Sequence, residues 1–363
     1  MDALGAPAEI PPPWVCFLSY GPDMSTWPFS PPITPMEAKV KAELPEGDWA
    51  YEPKWDGFRA ISWSGDLRLD SRNRKPLLRY FPELEETLFL LPPGTVVDGE
   101  VVVVTDDRLD FDALQNRLHP AASRVEKLAG ETPADLVAFD LVALDGSDLR
   151  AVPFSERRRG LERLILSLGG SWHLTPSTTD LVVGRRWFDE FEAAGCDGIV
   201  AKRLESVYVE GKREMVKVKH RRSVDCVVGG YRVHKEGDMI GSILLGLYDG
   251  GELHFIGHCS GFTDHDRVAI LRQFESIKAA DSFGHDVRRP GAESRWSSGK
   301  DLSWVPVDPG VVVQVSYDQL TGGRFRHATR FERWRPDKDA EQCTISQLDR
   351  PTGPGFGHVV GGD

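Results

Sequence analysis

Three apolar runs stand out in the first two thirds of the chain: "TVVDGEVVVV" at 95–104, "DLVAFDLVAL" at 135–144 and "DGIVAKRL" at 197–204. Each is short, rich in β-branched residues and bounded by turn formers, which predicts buried strands. Apolar residues at helical spacing predict helices over "FPELEETLFLL", "DFDALQNRL", "SERRRGLERLILSLG" with Ser155 as candidate cap, and "GRRWFDEFEAAG" closed by Gly195. Strands and helices do not alternate as in a doubly wound sheet, so the pattern predicts an α+β domain.

Past residue 222 the texture changes to short strands with turn signals. "VDCVVGGYRV" and "SILLGLYDGGELHFIGHCSGF" read as strands, the latter a hairpin turning at Asp249-Gly250-Gly251. A helix over 264–277 and a strand in "GVVVQVSYDQL" follow. Several strands and one helix in such a stretch predict a small barrel of the oligonucleotide-binding type. The reading is therefore a first domain over 1–222, a barrel over 223–350 and a flexible tail over 351–363. Proline-rich sequence up to about residue 35 predicts an extended arm on the first domain, and "PTGPGFGHVVGGD" has little to bury and is expected to fray.

Composition adds limits. The 363 residues suit at least two domains, and 44 Lys+Arg against 56 Asp+Glu give a net charge of -12. That sign alone argues against a polyanionic partner. Cys16, Cys196, Cys226, Cys259 and Cys343 are scattered with no CxxC pair, so neither a disulfide framework nor an ordinary zinc site is expected. No leader-like N-terminal pattern and no long apolar span is present, which predicts a cytoplasmic protein with no membrane partner.

The candidate chemistry begins at "EPKWDGFR", with Glu52, Lys54, Asp56 and Arg59. A lysine is a covalent nucleophile only when its amine is partly neutral, through burial or neighbouring positive charge. In order along the chain follow Arg72 and Arg74 in "SRNRKP", Glu100 among valines, Arg117 in "FDALQNRL", Phe139 in "VAFDL", Asp197 and Lys202 in "CDGIVAK", and Lys217 and Lys219 in "MVKVK". A carboxylate in a valine run is costly unless it meets a metal or a cation. Lysines two apart on a strand share a face and suit an anion there. Taken alone, Phe139 reads more readily as a core aromatic than as a stacking surface, and Arg335 and Lys338 of "RWRPDK" as a solvated face. His119, His220, His258 and His327 lack metal-ligand spacing and read as structural.

This ordered set resembles the covalent nucleotidyltransferases, and within them the ATP-dependent DNA ligases, over about residues 30 to 340. The wording "FDALQNRL" and "GIVAKRL" is most similar to mycobacterial ligase C and to the ligase module of ligase D. The resemblance implies a nucleotidyltransferase (adenylation) domain followed by an oligonucleotide-binding barrel, using ATP and Mg2+ or Mn2+. It implies that Lys54 is the nucleophile that forms lysyl-AMP, with Glu52, Arg59, Arg72, Glu100, Phe139, Lys202, Lys217 and Lys219 around the nucleotide. Arg335, Asp337 and Lys338 would orient the outer phosphates. Glu100 and Asp197 would bind metal, with Asp197 standing where the family's fourth motif begins with Glu. Asp56, Arg72, Arg74 and Arg117 would contact DNA. The positive cluster is expected to depress the pKa of Lys54.

The implied partner is nicked duplex DNA, with repair proteins as further candidates, the enzyme acting as a nucleoid-associated monomer. The alternatives within the same chemistry are an RNA ligase or a capping guanylyltransferase, and outside it a noncatalytic barrel that binds nucleic acid. The acidic total does not oppose DNA: residues 197–222 hold eight Lys+Arg against four Asp+Glu, and residues 321–338 hold six against two. These basic segments predict local phosphate contacts that weaken with salt.

Overall fold

The computed structural model describes residues 27–65, 67–285, 289–291, 301–348 and 351–361. Four strands open it, β1 (Glu37–Val40), β2 (Trp49–Pro53), β3 (Phe58–Trp63) and β4 (Arg68–Ser71), followed by α1 (Leu84–Phe89). Next come β5 (Val96–Thr105), β6 (Arg108–Leu109), α2 (Phe111–Asn116), α3 (Ala122–Glu131), β7 (Ala134–Leu144) and β8 (Ser147–Asp148). The first domain continues through α4 (Phe154–Ser167), β9 (Trp172–Leu174), α5 (Leu181–Glu190), β10 (Gly198–Arg203) and β11 (Arg213–Lys219).

Two sheets result. One has the order β4-β3-β5-β7-β8, with β6 on β5 and β9 on β7, and the other is β1-β11-β10-β2. The valine-rich runs become the central strands β5 and β7, and both of their faces are covered. Val101, Val103, Leu136 and Ala138 join Leu161 and Leu164 of α4 in one core, while Val102 and Val137 enter a second core with Trp55 and Cys196. A strand buried on both faces has no reason to alternate polar with apolar residues. The expected strands at 95–104, 135–144 and 197–204 are therefore present, within a residue or two of their expected ends.

Helix starts differ from expectation. α4 begins at Phe154 behind Pro153, which leaves Ser155 inside the first turn with no capping role. The proline supplies a pre-set φ of -55 where a free N–H would otherwise need a partner. α5 begins at Leu181, ahead of the expected stretch, because Asp180 Oδ1 accepts the Val182 N–H at 2.7 Å.

The second domain comprises β12 (Arg222–Val233), β13 (Ile240–Asp249), β14 (Glu252–Cys259), α6 (Asp264–Glu275), β15 (Val305–Pro306), β16 (Val312–Tyr317), β17 (Leu320–Thr321), β18 (Arg324–Phe325) and β19 (Arg330–Trp334). Its main sheet runs β14-β13-β12-β16-β19. A parallel bridge between Cys259, the last residue of β14, and Thr329, the residue before β19, brings the two outer strands together and closes the barrel. Closure removes the exposed edges, and the helix between the third and fourth long strands completes the oligonucleotide-binding order.

Of the N-terminal arm, Trp27 and Phe29 lie edge-on to Trp63, with centroids 5.1 and 5.7 Å away. Residues 1–26, including Cys16, lie outside the described residues. Cys196, Cys226, Cys259 and Cys343 are buried free thiols. No helix among the described residues is long and apolar enough to cross a membrane. The expectation of a fraying tail is corrected: α7 (Phe356–Gly361) forms, with Phe356 and Val359 buried in the first domain's second core. Two apolar side chains at helical spacing suffice because the core they enter is otherwise incomplete.

Candidate active site

Lys54 sits immediately after β2, where the chain is clamped to the start of β10. The Lys54 N–H donates to Gly198 O and the Asp197 N–H donates to Lys54 O, both at 2.8 Å. The next residues turn under β5, and Gly57 is needed there: a Cβ would lie 2.3 Å from Val101 O. The β2-β10-β11 register places Glu52 opposite Val200, Val200 opposite Lys217 and Gly198 opposite Lys219. Directly opposed residues share a sheet face, so Glu52, Lys202, Lys217 and Lys219 project to one side. On the facing sheet Arg59 is opposite Glu100, Glu100 is opposite Val137, and Phe139 lies two residues farther along β7.

Lys202 joins the two sheets. Its Nζ is 2.8 Å from Glu52 Oε2, donates to Phe139 O and lies 4.8 Å from the centre of the Phe139 ring. The Arg59 guanidinium is also 4.8 Å from that ring. The structure thus brings together Glu52, Lys54, Arg59, Glu100, Phe139, Asp197, Lys202, Lys217 and Lys219.

At the centre, Asp197 Oδ2 receives two ammonium groups, Lys54 Nζ at 2.8 Å and Lys219 Nζ at 2.9 Å. Burial alone would raise the Asp197 pKa, but Lys54 and Lys219 outweigh it and hold the carboxyl below its usual range. For Lys54 burial favours the neutral amine, yet Asp197, Glu100 and Asp56 together raise its pKa. The expected depression is therefore corrected: three carboxylates, not the neighbouring lysines, dominate around the amine. Lys217 behaves as expected of a lysine in a positive cluster, its pKa lowered by burial and then by Lys54, Lys219 and Arg72. Glu100 is pushed up to about 7, chiefly by burial, against the opposing pull of Lys54 and Arg59.

Other expected residues stand apart. Arg72 is exposed and pairs with Glu37 at 2.6 Å, and Arg74 is exposed in the turn after β4. Asp56 accepts from Arg326 of the barrel at 3.0 Å. Arg117 is fully buried, pairing with both oxygens of Glu83 and donating to Thr132 O and Tyr80 O. Its expected DNA contact is corrected, since every side-chain hydrogen bond it makes here is internal. Arg335 and Lys338 pair with Asp225 on β12 at 2.8 and 3.1 Å, and Arg335 with Asp337 at 2.9 Å. Among the described residues these pairs all lie within the barrel.

Several residues were missed by reading the sequence. Asp98 is wholly buried, takes both nitrogens of a bidentate Arg59 at 2.6 and 2.7 Å, and accepts from Tyr208 Oη at 2.6 Å. The argument that singled out Glu100, a carboxylate among valines, applies equally to Asp98. Arg158 lies 3.6 Å from Glu52, and Arg157 forms a buried bidentate pair with Asp140. Neither has a sequence signal beyond its charge.

Among the described residues no three His, Cys, Asp or Glu side chains gather to hold a metal ion unaided. Asp197 Oδ1 is nevertheless buried without a hydrogen-bond partner, and no described residue hydrogen-bonds the Glu100 carboxylate. Magnesium is commonly held by one or two carboxylates together with substrate phosphates and water, and this donor pair fits that mode.

Comparison with known proteins finds matches to both domains. A family model described as ATP dependent DNA ligase domain matches residues 33–219, and one described as ATP dependent DNA ligase C terminal region matches residues 236–338. DNA ligase C2 of Mycolicibacterium smegmatis is 49% identical over 343 residues, covering 89% of this chain and 96% of that protein. DNA ligase C of Mycobacterium tuberculosis is 47% identical over 354 residues, covering 92% and 99%. A solved Lig E DNA ligase shares the fold with a TM-score of 0.54 at 17% identity, covering 83% of this chain and 98% of that one.

Proposed function

The chain belongs to the ATP-dependent DNA ligases, and on that premise we propose that Lys54 is the residue adenylylated by ATP and that the product is a sealed nick in duplex DNA. The observation that carries the assignment is the pairing of Lys54 and Lys219, both partly exposed, on the buried Asp197 carboxylate. In the first step a P–N bond forms between Lys54 Nζ and the α-phosphorus, and the bond to the departing pyrophosphate breaks. AMP then passes to the 5′-phosphate of the nick, and the neighbouring 3′-hydroxyl displaces it. Such transfers depend on positioning and on neutralising charge.

Each side chain has a task in this scheme. Lys217 and Lys219 contact the α-phosphate, and Phe139, with Arg59 and Lys202 each 4.8 Å from its ring centre, stacks on adenine. Glu52 orients Lys202 and the nucleoside side of the pocket. In the free protein Asp197 keeps Lys54 as an ammonium, so the proton must leave before attack. A divalent cation, Mg2+ or Mn2+, held by Glu100 and Asp197 would neutralise the carboxylates that keep Lys54 charged. Arg72 and Arg74, exposed beyond β4, meet the phosphates flanking the nick. Asp56, once freed from Arg326, contacts the DNA away from those phosphates. Arg335, Asp337 and Lys338 orient the outer phosphates of ATP.

The role proposed is DNA repair in the cytoplasm, on the nucleoid, by a monomer. The repair part of this reading is supported by 30% identity over 305 residues to the multifunctional non-homologous end joining DNA repair protein LigD of Mycobacterium tuberculosis, of which this alignment covers 37%. The functional division follows the boundary near Arg222, with a nucleotidyltransferase unit over 1–222 and a barrel over 223–350. The test is sealing of a nicked duplex with ATP, NAD or GTP as the only nucleotide. ATP alone should support sealing, and Lys54→Ala should abolish it. Sealing by NAD or GTP alone, or by Lys54→Ala, would overturn the proposal.

A further inference from the structure

The C-terminal segment does not end on the barrel that precedes it. Thr344 bridges to Tyr248, and Gln347 donates to Asp225 O, so the chain is still anchored on the barrel there. From Pro351 its contacts are with the first domain: Pro351 O accepts from Arg108, and Gly353 approaches Ala193 closely. The Phe356 N–H donates to Asp107 O at 2.6 Å and the Gly357 N–H to Asp107 Oδ1 at 2.7 Å. Gly355 lies so close that a Cβ would be 1.8 Å from Asp107 Oδ2 and 2.9 Å from Asp107 O.

This docking places the Phe356 ring edge-on to Trp55, with centroids 5.7 Å apart, and 5.1 Å from the His173 ring. Phe356 and Val359 are buried in one cluster with Trp55, Val102, Val137 and Cys196. Two members of that cluster matter most. Trp55 follows Lys54 in the chain, and Cys196 precedes Asp197. The immediate neighbours of both partners in the central ion pair therefore rest on a core that the C-terminal helix closes. Trp55 is further fixed by its Nε1–H to Thr175 Oγ1 at 2.9 Å.

We infer that Phe356, carried on the docked C-terminal helix, is a positioning residue for adenylylation: acting through Trp55 and Cys196, it sets the Lys54-Asp197 pair against the nucleotide from behind. The inference rests on Lys54 being the nucleophile proposed above. Packed interiors transmit small displacements, and an ångström of misplacement at a reacting group is costly.

The test is single-turnover formation of lysyl-AMP by the full-length protein across a series of ATP concentrations. Phe356→Ala should lower the rate at saturating ATP by about tenfold or more, while the half-saturating ATP concentration stays within about twofold, because the direct contacts described for Phe356 are with Trp55, His173 and Asp107, none of them assigned to the nucleotide. Phe356→Leu, which refills the core, should recover most of the rate. Gly355→Ala, which leaves Phe356 intact but forces the segment off Asp107, should show the same selective loss, and it decides the matter if Phe356→Ala fails to fold. A full rate in both Phe356→Ala and Gly355→Ala, or a loss of ATP affinity equal to the loss of rate, would overturn the inference. A wild-type protein that never forms lysyl-AMP would instead refute the nucleophile assignment.

Discussion

Glu100 shows how burial and charge compete at one residue. With its pKa raised from 4.5 to about 7, ionising this carboxyl costs the fold. The sign follows from linkage: the favourable protonated state is fully present below about pH 4.5 and is lost as the pH rises through about 7. Glu100→Gln, which cannot ionise, should therefore gain melting temperature relative to wild type at pH 8 and not at pH 5, in protein free of metal and ATP. An equal difference at both pH values would contradict the assignment. Lys54 carries the opposite lesson. The sequence places lysines near it, but its nearest charge is the Asp197 carboxylate at 2.8 Å, which a linear reading cannot rank above Lys217 or Lys219.

Among the elements, those legible in the sequence were the ones whose signal is local. β5 and β7 are valine-rich and buried on both faces, and the β13-β14 hairpin turns where two glycines have positive φ. What depended on distant partners was not legible. β1 pairs in parallel with β11, more than 170 residues away. α7 forms only because the core around Trp55 has room for Phe356 and Val359. Arg117 was read as a DNA contact because it is a cation in a shared motif, whereas the structure spends it on joining α2 to the turn before α1 through Glu83. Arg117→Ala should destabilise the domain by about 3 kcal/mol, since it strands a paired carboxylate and two carbonyls. Thermal or denaturant unfolding measures that loss, and an effect confined to DNA affinity would restore the original reading.

For the whole molecule, the two domains meet at several points. The barrel's Arg326 pairs with Asp56, two residues from Lys54, and lies over the Phe111 ring, and the Gly322 N–H donates to Asp112. Arg222 at the junction pairs with Glu192. The C-terminal helix adds another tie, with three Cα steps, about 11 Å at most, between Leu348 and Pro351. In this arrangement Arg335 and Lys338 are held by Asp225 within the barrel. Their proposed work on the outer phosphates of ATP belongs to the first step alone. Asp337→Ala and Lys338→Ala should therefore block lysyl-AMP formation yet still seal a nick supplied already adenylylated. Equal loss of both activities would remove that role.

The central claim is that Lys54, drawn to Asp197 between two facing sheets, is the nucleophile of an ATP-dependent DNA ligase. Peptide mass spectrometry of the full-length protein after incubation with ATP and a divalent cation tests it most directly. AMP should be found in phosphoramide linkage on Lys54; AMP on Lys202, Lys217 or Lys219, or none on the chain, would contradict it.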